Sequence, residues 1–317
     1  MRAMVINEFG SENVLVSAEI ATPEPKKNEV LVRNYACGLN PVDYKIRAGA
    51  LKDLFAVRFP RILGGDISGV IEAVGAKVKK FKAGDEVFFS SPLNANGGYA
   101  EYSVVSENLV AMKPTNISHL EAASLPVAGL TSIQALRDFS SLKYGSKILI
   151  HAGAGGVGSF AIQYAKYLGA KVFTTASPKN FDYVKSLGAD VIIDYQKENF
   201  VDVCENAGRM DVVLESVGEE TYLKSVQATR EGGVIPSIVD APNDEVRILS
   251  QRKEIKTDFF LLTCRGRDLE EISKLISSKT IVPGHIEPIQ FYQIPWAHTQ
   301  LERKAMRGKF VLEIQVN

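Results

Sequence analysis

One stretch near the middle of the chain restricts the possible folds more than any other. It begins with a short apolar run, Ile148 to Ile150, of the kind that forms a buried strand. Gly153, Gly155 and Gly158 follow in the pattern G-x-G-x-x-G. A helical pattern comes next and ends before Gly169, a residue type that commonly stops helices. The sequence therefore predicts a strand, a glycine turn and a helix in direct succession.

This succession is the one that dinucleotide binding requires. A pyrophosphate lies against backbone N–H groups at a helix N-terminus, where the helix dipole favours an anion. Side chains at the close-approach positions would keep the phosphates away, and the last glycine lets helix and strand pack closely. An ordinary tight turn is the alternative, but a second strand-like segment, 171–175, follows the helix and favours a dinucleotide site. The residues predicted to hold the cofactor here are Gly153, Ala154, Gly155, Gly156, Val157 and Gly158.

Composition and charge narrow the class of protein further. The 317 residues predict two domains, and 45% of them are hydrophobic, enough for sizeable cores. Because 37 Lys and Arg balance 37 Asp and Glu, no nucleic-acid partner is expected. No apolar run approaches the ~20 residues of a membrane span, and no signal-peptide pattern opens the chain. Cys37, Cys204 and Cys264 form no C-x-x-C, which argues against disulfides and a cysteine-rich zinc site and favours a cytoplasmic location.

The hydrophobic pattern changes along the chain. Residues 1 to about 122 contain short strand-like segments separated by turns, which predicts a compact barrel. From about residue 123, strands and helices alternate as far as Val239, which predicts a parallel, doubly wound sheet. Pro236 counts against a central position for the last strand, because proline cannot donate to the ladder. The predicted strands of this sheet are 147–151, 171–175, 191–193, 211–214 and 234–238.

The remaining segments are predicted from the same patterns. Residues 240–254 are polar and predict a loop, whereas 256–262 predict another strand. A helix is expected over 268–278. The last apolar segment, 308–314, predicts a strand that returns to the first domain.

The choice of dinucleotide depends on the end of the second strand. An NAD site usually places an acid about 20 residues beyond the glycine turn, where it bonds the ribose 2′-hydroxyl. The matching segment, 174–180, contains no acid but offers hydroxyls and an ammonium. Ser177 and Lys179 would bind a 2′-phosphate, so NADP is predicted rather than NAD. The alternative is that Lys179 is only a solvated lysine.

Several further motifs occur in a recognisable order. They are GLNPVDYK (38–45), GGDISGV (64–70), GGYAEY (97–102), AGLTS (128–132), the block 152–166, and LGAD (187–190). With them, nearly the whole chain resembles the medium-chain dehydrogenase/reductases, above all the zinc-free branch of zeta-crystallin-like quinone oxidoreductases and 2-alkenal (enone) reductases. The resemblance implies an α/β architecture with a GroES-like β-barrel catalytic domain, 1–122 completed by 285–317, and a Rossmann NADP-binding domain, 123–284. It also implies a homodimer.

The zinc ligands of the family are not present in these motifs. Zinc-dependent members keep Cys where Asn40 lies and His-Glu where Gly65 and Asp66 lie. Cys37 is three residues from the ligand position and has no partner in the motif. Because a catalytic Zn²⁺ needs three His, Cys or carboxylate ligands, no metal is predicted.

Three residues of the GLNPVDYK motif are candidates for catalysis. Lys45 is the first, as a hydrogen-bond donor to an enolate oxygen, and a lysine here resembles the alkenal-reductase branch; a surface lysine is the alternative. Tyr44 is a second donor candidate, with packing as the alternative. Asn40 would bond the substrate or the nicotinamide ribose, or else set the turn before Pro41.

Further cofactor contacts are implied by the resemblance alone. Thr131 is expected near the nicotinamide or pyrophosphate, and Tyr195 beside the adenosine. Val217 ends the fourth strand, where ligands meet a parallel sheet. Backbone groups near Ile238 and Phe260 are expected to hold the carboxamide.

The histidines and one C-terminal segment carry less information. His119, His285 and His298 have no motif around them, and His151 ends the first strand, where packing is expected. The segment 304–309 resembles a family segment that often has His where Ala305 stands.

Without a metal, hydride transfer is easiest onto an activated C=C bond. The sequence therefore predicts an NADPH-dependent reductase of α,β-unsaturated carbonyls, with a small electrophile as substrate and no nucleic-acid or membrane partner. An NADPH:quinone oxidoreductase on the same scaffold is the alternative. A different class, an NADPH-binding sensor or structural protein without turnover, is also kept open.

Overall fold

The computed structural model describes residues 1–303 and 306–314, and its elements are numbered here in chain order. The strands are β1 (Arg2–Ile6), β2 (Val16–Glu19), β3 (Glu29–Gly38), β4 (Arg61–Ile62), β5 (Asp66–Val74), β6 (Glu86–Ser90), β7 (Tyr102–Ser106), β8 (Val110–Met112), β9 (Lys147–Ile150), β10 (Lys171–Ala176), β11 (Val191–Asp194), β12 (Met210–Leu214), β13 (Thr229–Ser237), β14 (Lys256–Phe259), β15 (Ile286–Ile289) and β16 (Lys309–Glu313). The helices are α1 (Pro41–Arg47), α2 (His119–Ala122), α3 (Pro126–Ile133), α4 (Gly156–Tyr167), α5 (Phe181–Ser186), α6 (Phe200–Asn206), α7 (Glu220–Ala228), α8 (Asp244–Arg252), α9 (Gly266–Ser277) and α10 (Ile294–Glu302).

Contacts divide the chain into two compact units, and the second, Ala128–Thr263, contains the parallel sheet. Its six strands lie in the order β11-β10-β9-β12-β13-β14, and every pairing is parallel. This is the Rossmann strand order 3-2-1-4-5-6. The predicted doubly wound sheet is confirmed, and each of its five predicted strands is present.

Pro236 lies in a strand that has a neighbour on both sides. Strand β13 pairs with β12 and with β14, so it is not an edge strand. Pro236 is the penultimate residue of β13, and its carbonyl accepts the backbone N–H of Glu215 at 3.0 Å. The proline is tolerated because it stands near the strand end and contributes an acceptor rather than a donor.

The expectation of a loop over 240–254 is wrong, because helix α8 occupies most of it. Asn243 caps the helix, accepting the backbone N–H of Val246 at 2.9 Å. Val246 and Ser250, four residues apart, form the buried side. The polar residues that suggested a loop line the exposed side of a short amphipathic helix.

The first unit comprises residues Met1–Val127 and the chain from Cys264 onward. A mixed sheet runs β15-β16-β3-β5-β6-β8, with β7 also paired to β3, and a three-stranded sheet runs β2-β1-β4. Strand β16 pairs antiparallel with β3, with Val311 opposite Gly38. The predicted return of the C-terminal strand to the first domain is therefore confirmed.

The units divide at different residues from the predicted domain boundaries, 122/123 and 284/285. The difference is largest at helix α9, which the prediction assigns to the second domain. Ser273 on this helix donates to the carbonyl of Met112 at 3.0 Å, and Asn116 donates to the carbonyl of Ile276 at 3.0 Å. These bonds and the packing of α9 on β8 group the helix with the first unit.

Among residues 1–303 and 306–314, no helix is both long enough and apolar enough to cross a membrane.

Candidate active site

The glycine turn lies between β9 and α4, and its three glycines are needed for different reasons. A Cβ on Gly153 would overlap the hydroxyl of Thr174, and one on Gly158 would overlap the carbonyl of Ala152. A Cβ on Gly155 would meet nothing nearer than the Ala152 carbonyl, at 3.3 Å. Packing inside the protein therefore requires the first and third glycines, whereas at the second a Cβ would make only one tight contact.

Gly155 precedes the first turn of α4, whose early N–H groups have no partner within the helix. A dinucleotide pyrophosphate needs close backbone approach at the second glycine of the motif and donors at a helix N-terminus. Both are present here. The residues predicted to hold the cofactor, Gly153 to Gly158, thus fit that group.

The two residues predicted to select NADP lie just beyond β10. Ser177 is 8% exposed, and its hydroxyl accepts from the side-chain amide of Asn180 at 3.2 Å, which leaves its own hydrogen to donate. Lys179 is exposed on the short 3-10 turn that follows. Tyr195 directly follows β11, and the last residues of β10 and β11, Ala176 and Asp194, are paired. The structure therefore places Ser177 and Tyr195 at the same edge of the sheet.

The residues predicted to hold a carboxamide, Ile238 and Phe260, already use their backbone N–H groups in hydrogen bonds within the protein. The N–H of Ile238 donates to the carbonyl of Glu215 at 2.9 Å, and that of Phe260 donates to Ser237 at 2.6 Å. The N–H of Val217 donates to the carboxylate of Glu215 at 2.8 Å. Any backbone hydrogen bond from these three residues to a cofactor would therefore use their carbonyl oxygens. Thr131 is on α3 and is 6% exposed.

In the first unit, the three catalytic candidates lie together at α1. Asn40 is its N-cap residue and is 5% exposed, whereas Tyr44 and Lys45 lie within the helix and are half-buried. Asp43, 2% exposed, accepts the backbone N–H of Asn40 at 2.7 Å and that of Gly64 at 3.1 Å. This carboxylate holds the start of the helix and thereby the backbone that carries the candidates.

Two of the positions at which the resemblance implies zinc ligands, Asn40 and Asp66, bond other groups of the protein. The fully buried carboxylate of Asp66 accepts the N–H of Val127 at 2.6 Å and the side-chain amide of Asn40 at 3.0 Å. It also forms an ion pair with the buried ammonium of Lys309. An ammonium has no lone pair for Zn²⁺ and an asparagine amide is not among the usual zinc ligands, so these residues do not fit that ion. Within the described ranges, no cluster of three or more His, Cys, Asp or Glu is suited to a metal.

A chain of buried hydrogen bonds leads from Asp43 to the protein surface. The hydroxyl of Tyr99 donates to Asp43 at 3.2 Å, and Nε2 of His298 lies 3.2 Å from the same hydroxyl oxygen. Arg47 lies 3.4 Å from Nδ1 of His298 and forms an ion pair with Glu302. Because Arg47 can only donate, Nδ1 is the acceptor and Nε2 carries the hydrogen of a neutral imidazole.

The titration of these groups follows from their burial. Burial raises the pKa of Asp43 to about 6, although the N–H groups of Asn40 and Gly64 oppose the rise. Burial, with a smaller contribution from the nearby Arg47, lowers the pKa of His298 to about 3. The imidazole is therefore neutral at pH 7, in agreement with the hydrogen-bond directions.

Two family models match the chain. One is described as "Alcohol dehydrogenase GroES-like domain" and matches residues 26–115, and the other is described as "Zinc-binding dehydrogenase" and matches residues 156–277. The chain is 37% identical to the 2-methylene-furan-3-one reductase of Solanum lycopersicum, covering 98% of this chain and 79% of that protein. It is 36% identical to the chloroplastic NADPH-dependent alkenal/one oxidoreductase of Arabidopsis thaliana, with the same two coverages.

The chain belongs to the medium-chain dehydrogenase/reductase family. A solved structure of the quinone oxidoreductase from Coxiella burnetii agrees with this assignment. It has a TM-score of 0.90 and 35% identity, and the match covers 99% of each chain. The resemblance inferred from the motifs is thus confirmed, together with the GroES-like and Rossmann domains of the medium-chain fold.

Several residues of this medium-chain family member were missed by sequence reasoning. His298 has no motif around it, yet it lies in the chain that ends at Asp43. Lys309 lies in a segment to which no function was assigned from the sequence, yet its ammonium forms an ion pair with Asp66. Tyr99 was a usable signal, because it belongs to the GGYAEY motif. Ala305, the departure from the family pattern, lies outside the described residues.

Proposed function

We propose that this protein is an NADPH-dependent oxidoreductase that reduces the activated C=C bond of α,β-unsaturated carbonyls. The observation that carries the proposal is the glycine turn, where Gly155 caps the N-terminus of α4 and a Cβ would meet only the Ala152 carbonyl, at 3.3 Å. The reductases from Solanum lycopersicum and Arabidopsis thaliana align with 98% of the chain. Their names, 2-methylene-furan-3-one reductase and alkenal/one oxidoreductase, support the choice of reaction.

When bound, NADPH supplies the hydride that adds to the β-carbon of such a substrate. The chain's own residues then have to stabilise the negative charge that develops on the carbonyl oxygen. Lys45 is proposed to donate a hydrogen bond from its ammonium to this oxygen, with Tyr44 as the second candidate. Asn40 uses one amide hydrogen on Asp66, and its remaining polar groups are proposed to bond the substrate or the nicotinamide ribose.

The cofactor preference and the absence of a metal are further parts of the proposal. Ser177 and Lys179 would hold the 2′-phosphate, which makes NADPH the preferred dinucleotide over NADH. Catalysis is proposed to be independent of zinc, because Asp66 is held by the amide of Asn40 and the ammonium of Lys309. Thr131, Tyr195, Val217, Ile238 and Phe260 are proposed as cofactor contacts. A homodimer and a cytoplasmic location complete the proposal.

A quinone reductase is the second candidate, and the similarity to the Coxiella burnetii quinone oxidoreductase favours it. The experiment that separates the candidates mixes purified protein and a chelator with NADPH or NADH, and with a short enone or a simple quinone. Loss of reduced-nicotinamide absorbance is followed. Rapid, chelator-insensitive oxidation of NADPH by the enone is the expected result. Turnover only with the quinone would establish the second candidate, and binding without turnover would indicate a sensor.

The role of Lys45 is tested in the same assay. Removing one donor to a developing oxyanion typically lowers kcat by about 10²- to 10³-fold, which is the loss expected for Lys45→Ala. The matched control is Lys52→Ala, which removes an exposed lysine a few residues along the chain. A kcat for Lys45→Ala equal to that of the control would transfer the role to Tyr44.

A further inference from the structure

Four polar side chains form a buried row behind the glycine turn. Thr175 is the penultimate residue of β10, His151 follows β9, Glu215 follows β12, and Ser225 lies on α7. Their exposures are 4%, 2%, 0% and 0%, respectively, so a ligand at the sheet edge cannot reach Ser225 or Glu215. Burying four polar side chains is costly unless each is hydrogen-bonded, and here each one bonds the next.

The direction of every bond in this row can be assigned. Ser225 donates its single hydrogen to Glu215 at 2.6 Å, so it must accept from Nε2 of His151, 3.0 Å away. Burial lowers the pKa of His151, which is therefore neutral at pH 7 and accepts at Nδ1. Thr175 lies 3.2 Å from this atom and is the donor.

The two ends of the row hold two different turns at the carboxyl edge of the sheet. At one end, the hydroxyl of Thr175 accepts the N–H of Ala152 at 3.1 Å, while its carbonyl accepts the N–H of Gly153 at 3.0 Å. At the other end, Glu215 accepts the N–H groups of Val217 and Gly218 at 2.8 and 3.0 Å. The same set of bonds therefore orients the glycine turn and the turn that follows β12.

The geometry points to a positioning role for this row: the Thr175–His151–Ser225–Glu215 chain sets the affinity for NADPH by orienting both turns, without any contact from Ser225 to the cofactor. This inference rests on the proposed NADPH-binding function and deepens it. Ala152 adopts a positive φ of 49°, which is uncommon for a residue with a Cβ. Such a turn keeps its shape only where its surroundings hold it, and here Thr175 does so.

Removal of the Ser225 hydroxyl is the direct test. In Ser225→Ala, Nε2 of His151 loses its acceptor, because the nearest Glu215 oxygen is 3.9 Å away. We expect the Kd for NADPH, measured by nicotinamide fluorescence, to rise about tenfold. The matched control is Ser250→Ala, since the Ser250 hydroxyl is buried and has no hydrogen-bond partner within the described part of the chain. Its Kd should stay within about twofold of the wild-type value.

A second variant breaks the row at its other end and distinguishes positioning from local damage. Thr175→Val removes the hydroxyl with little change of side-chain shape, whereas Thr175→Ser keeps the hydroxyl and removes only the methyl group. Because the row acts as a unit, the second substitution should cost no further affinity. The double variant Ser225→Ala/Thr175→Val should have the same Kd for NADPH as whichever single variant has the higher Kd. The KM for NADPH should rise in each valine or alanine variant, whereas kcat at saturating NADPH should change by less than about twofold.

Each outcome decides a different point. If the wild-type protein does not bind NADPH, the proposed function fails and this inference fails with it. If the wild type binds and Ser225→Ala binds equally well, only this inference is overturned. Should Ser225→Ala not fold, Thr175→Val and Thr175→Ser decide alone: equal affinities would refute the positioning role. Strictly additive losses in the double variant would also refute it.

Discussion

The neutral, buried His298 should make the first unit sensitive to acid. The ordinary pKa of histidine is 6.5, and in the folded protein that of His298 is lowered to about 3. Below pH 6.5 the unfolded chain therefore binds a proton that the folded chain does not bind. The stability that His298 contributes is complete above pH 6.5 and is lost progressively as the pH falls toward 3.

The size of this loss follows from the pKa difference. One pKa unit corresponds to about 1.4 kcal/mol, so His298 should cost about 2 kcal/mol of unfolding free energy at pH 5 relative to pH 7. Asp43 acts in the opposite direction, because its pKa is raised from 3.8 to about 6 and the folded state binds its proton first. The raised pKa of Asp43 therefore increases the free energy of unfolding by about 1.4 kcal/mol at pH 5, which offsets part of the loss from His298. In the second unit, burial also lowers the pKa of His151, which makes that unit sensitive to acid in the same direction.

A substitution isolates the part that belongs to His298. In His298→Asn the amide oxygen can accept from Arg47, and no group remains to titrate. Urea unfolding at pH 7 and pH 5 would be followed by fluorescence of Trp296, the single tryptophan, which lies on the same helix α10. The loss of unfolding free energy between the two pH values should be about 2 kcal/mol smaller in the variant. His285→Asn, at an exposed histidine, is the matched control for the substitution. Equal losses in wild type and His298→Asn would refute the reasoning.

Three further predictions concern the dinucleotide site and the fold of the second unit. Gly155→Ala should lower Tm only slightly, because its Cβ would make a single tight contact, 3.3 Å from the Ala152 carbonyl, but NADPH should bind at least about tenfold more weakly in a fluorescence titration; unchanged affinity would show that no ligand approaches there. Lys179→Ala should weaken NADPH about tenfold and leave NADH affinity unaltered, because only NADPH carries the 2′-phosphate; equal effects on both would contradict the assignment. Asn243→Ala should cost about 1 kcal/mol in chemical unfolding, since it removes the cap of α8; Asn13→Ala, at an exposed residue, is its control.

Much of the second unit could be predicted because its signals are local. Strands β9 to β12 are short, largely apolar runs, and helix α4 follows the glycine turn and ends before Gly169. Such periodicities arise from burial on one side of a helix or on the faces of a strand, so they appear within a few consecutive residues. The expectation for 240–254 failed for the same reason: helix α8 is short, and few of its residues are apolar and buried.

The candidate site was predictable only in part. The motif containing Asn40, Tyr44 and Lys45 picked out three residues that lie together at α1, and the glycine spacing predicted the turn between β9 and α4. The sequence did not indicate that the N–H groups of Ile238 and Phe260 already bond within the sheet. Hydrogen-bond capacity is limited, and which partner uses it depends on strands that are distant in sequence.

The amino-acid sequence by itself determined the class of this protein: a medium-chain dehydrogenase/reductase with a dinucleotide turn and altered residues at the zinc positions. Only the tertiary structure decided how its buried charges are held. Arg47 and His298 are 251 residues apart, and Asp66 and Lys309 are 243 apart, yet each pair is in contact. The reason is physical. Turn and helix preferences depend on neighbouring residues, whereas a buried polar group requires a specific partner that only the completed packing supplies.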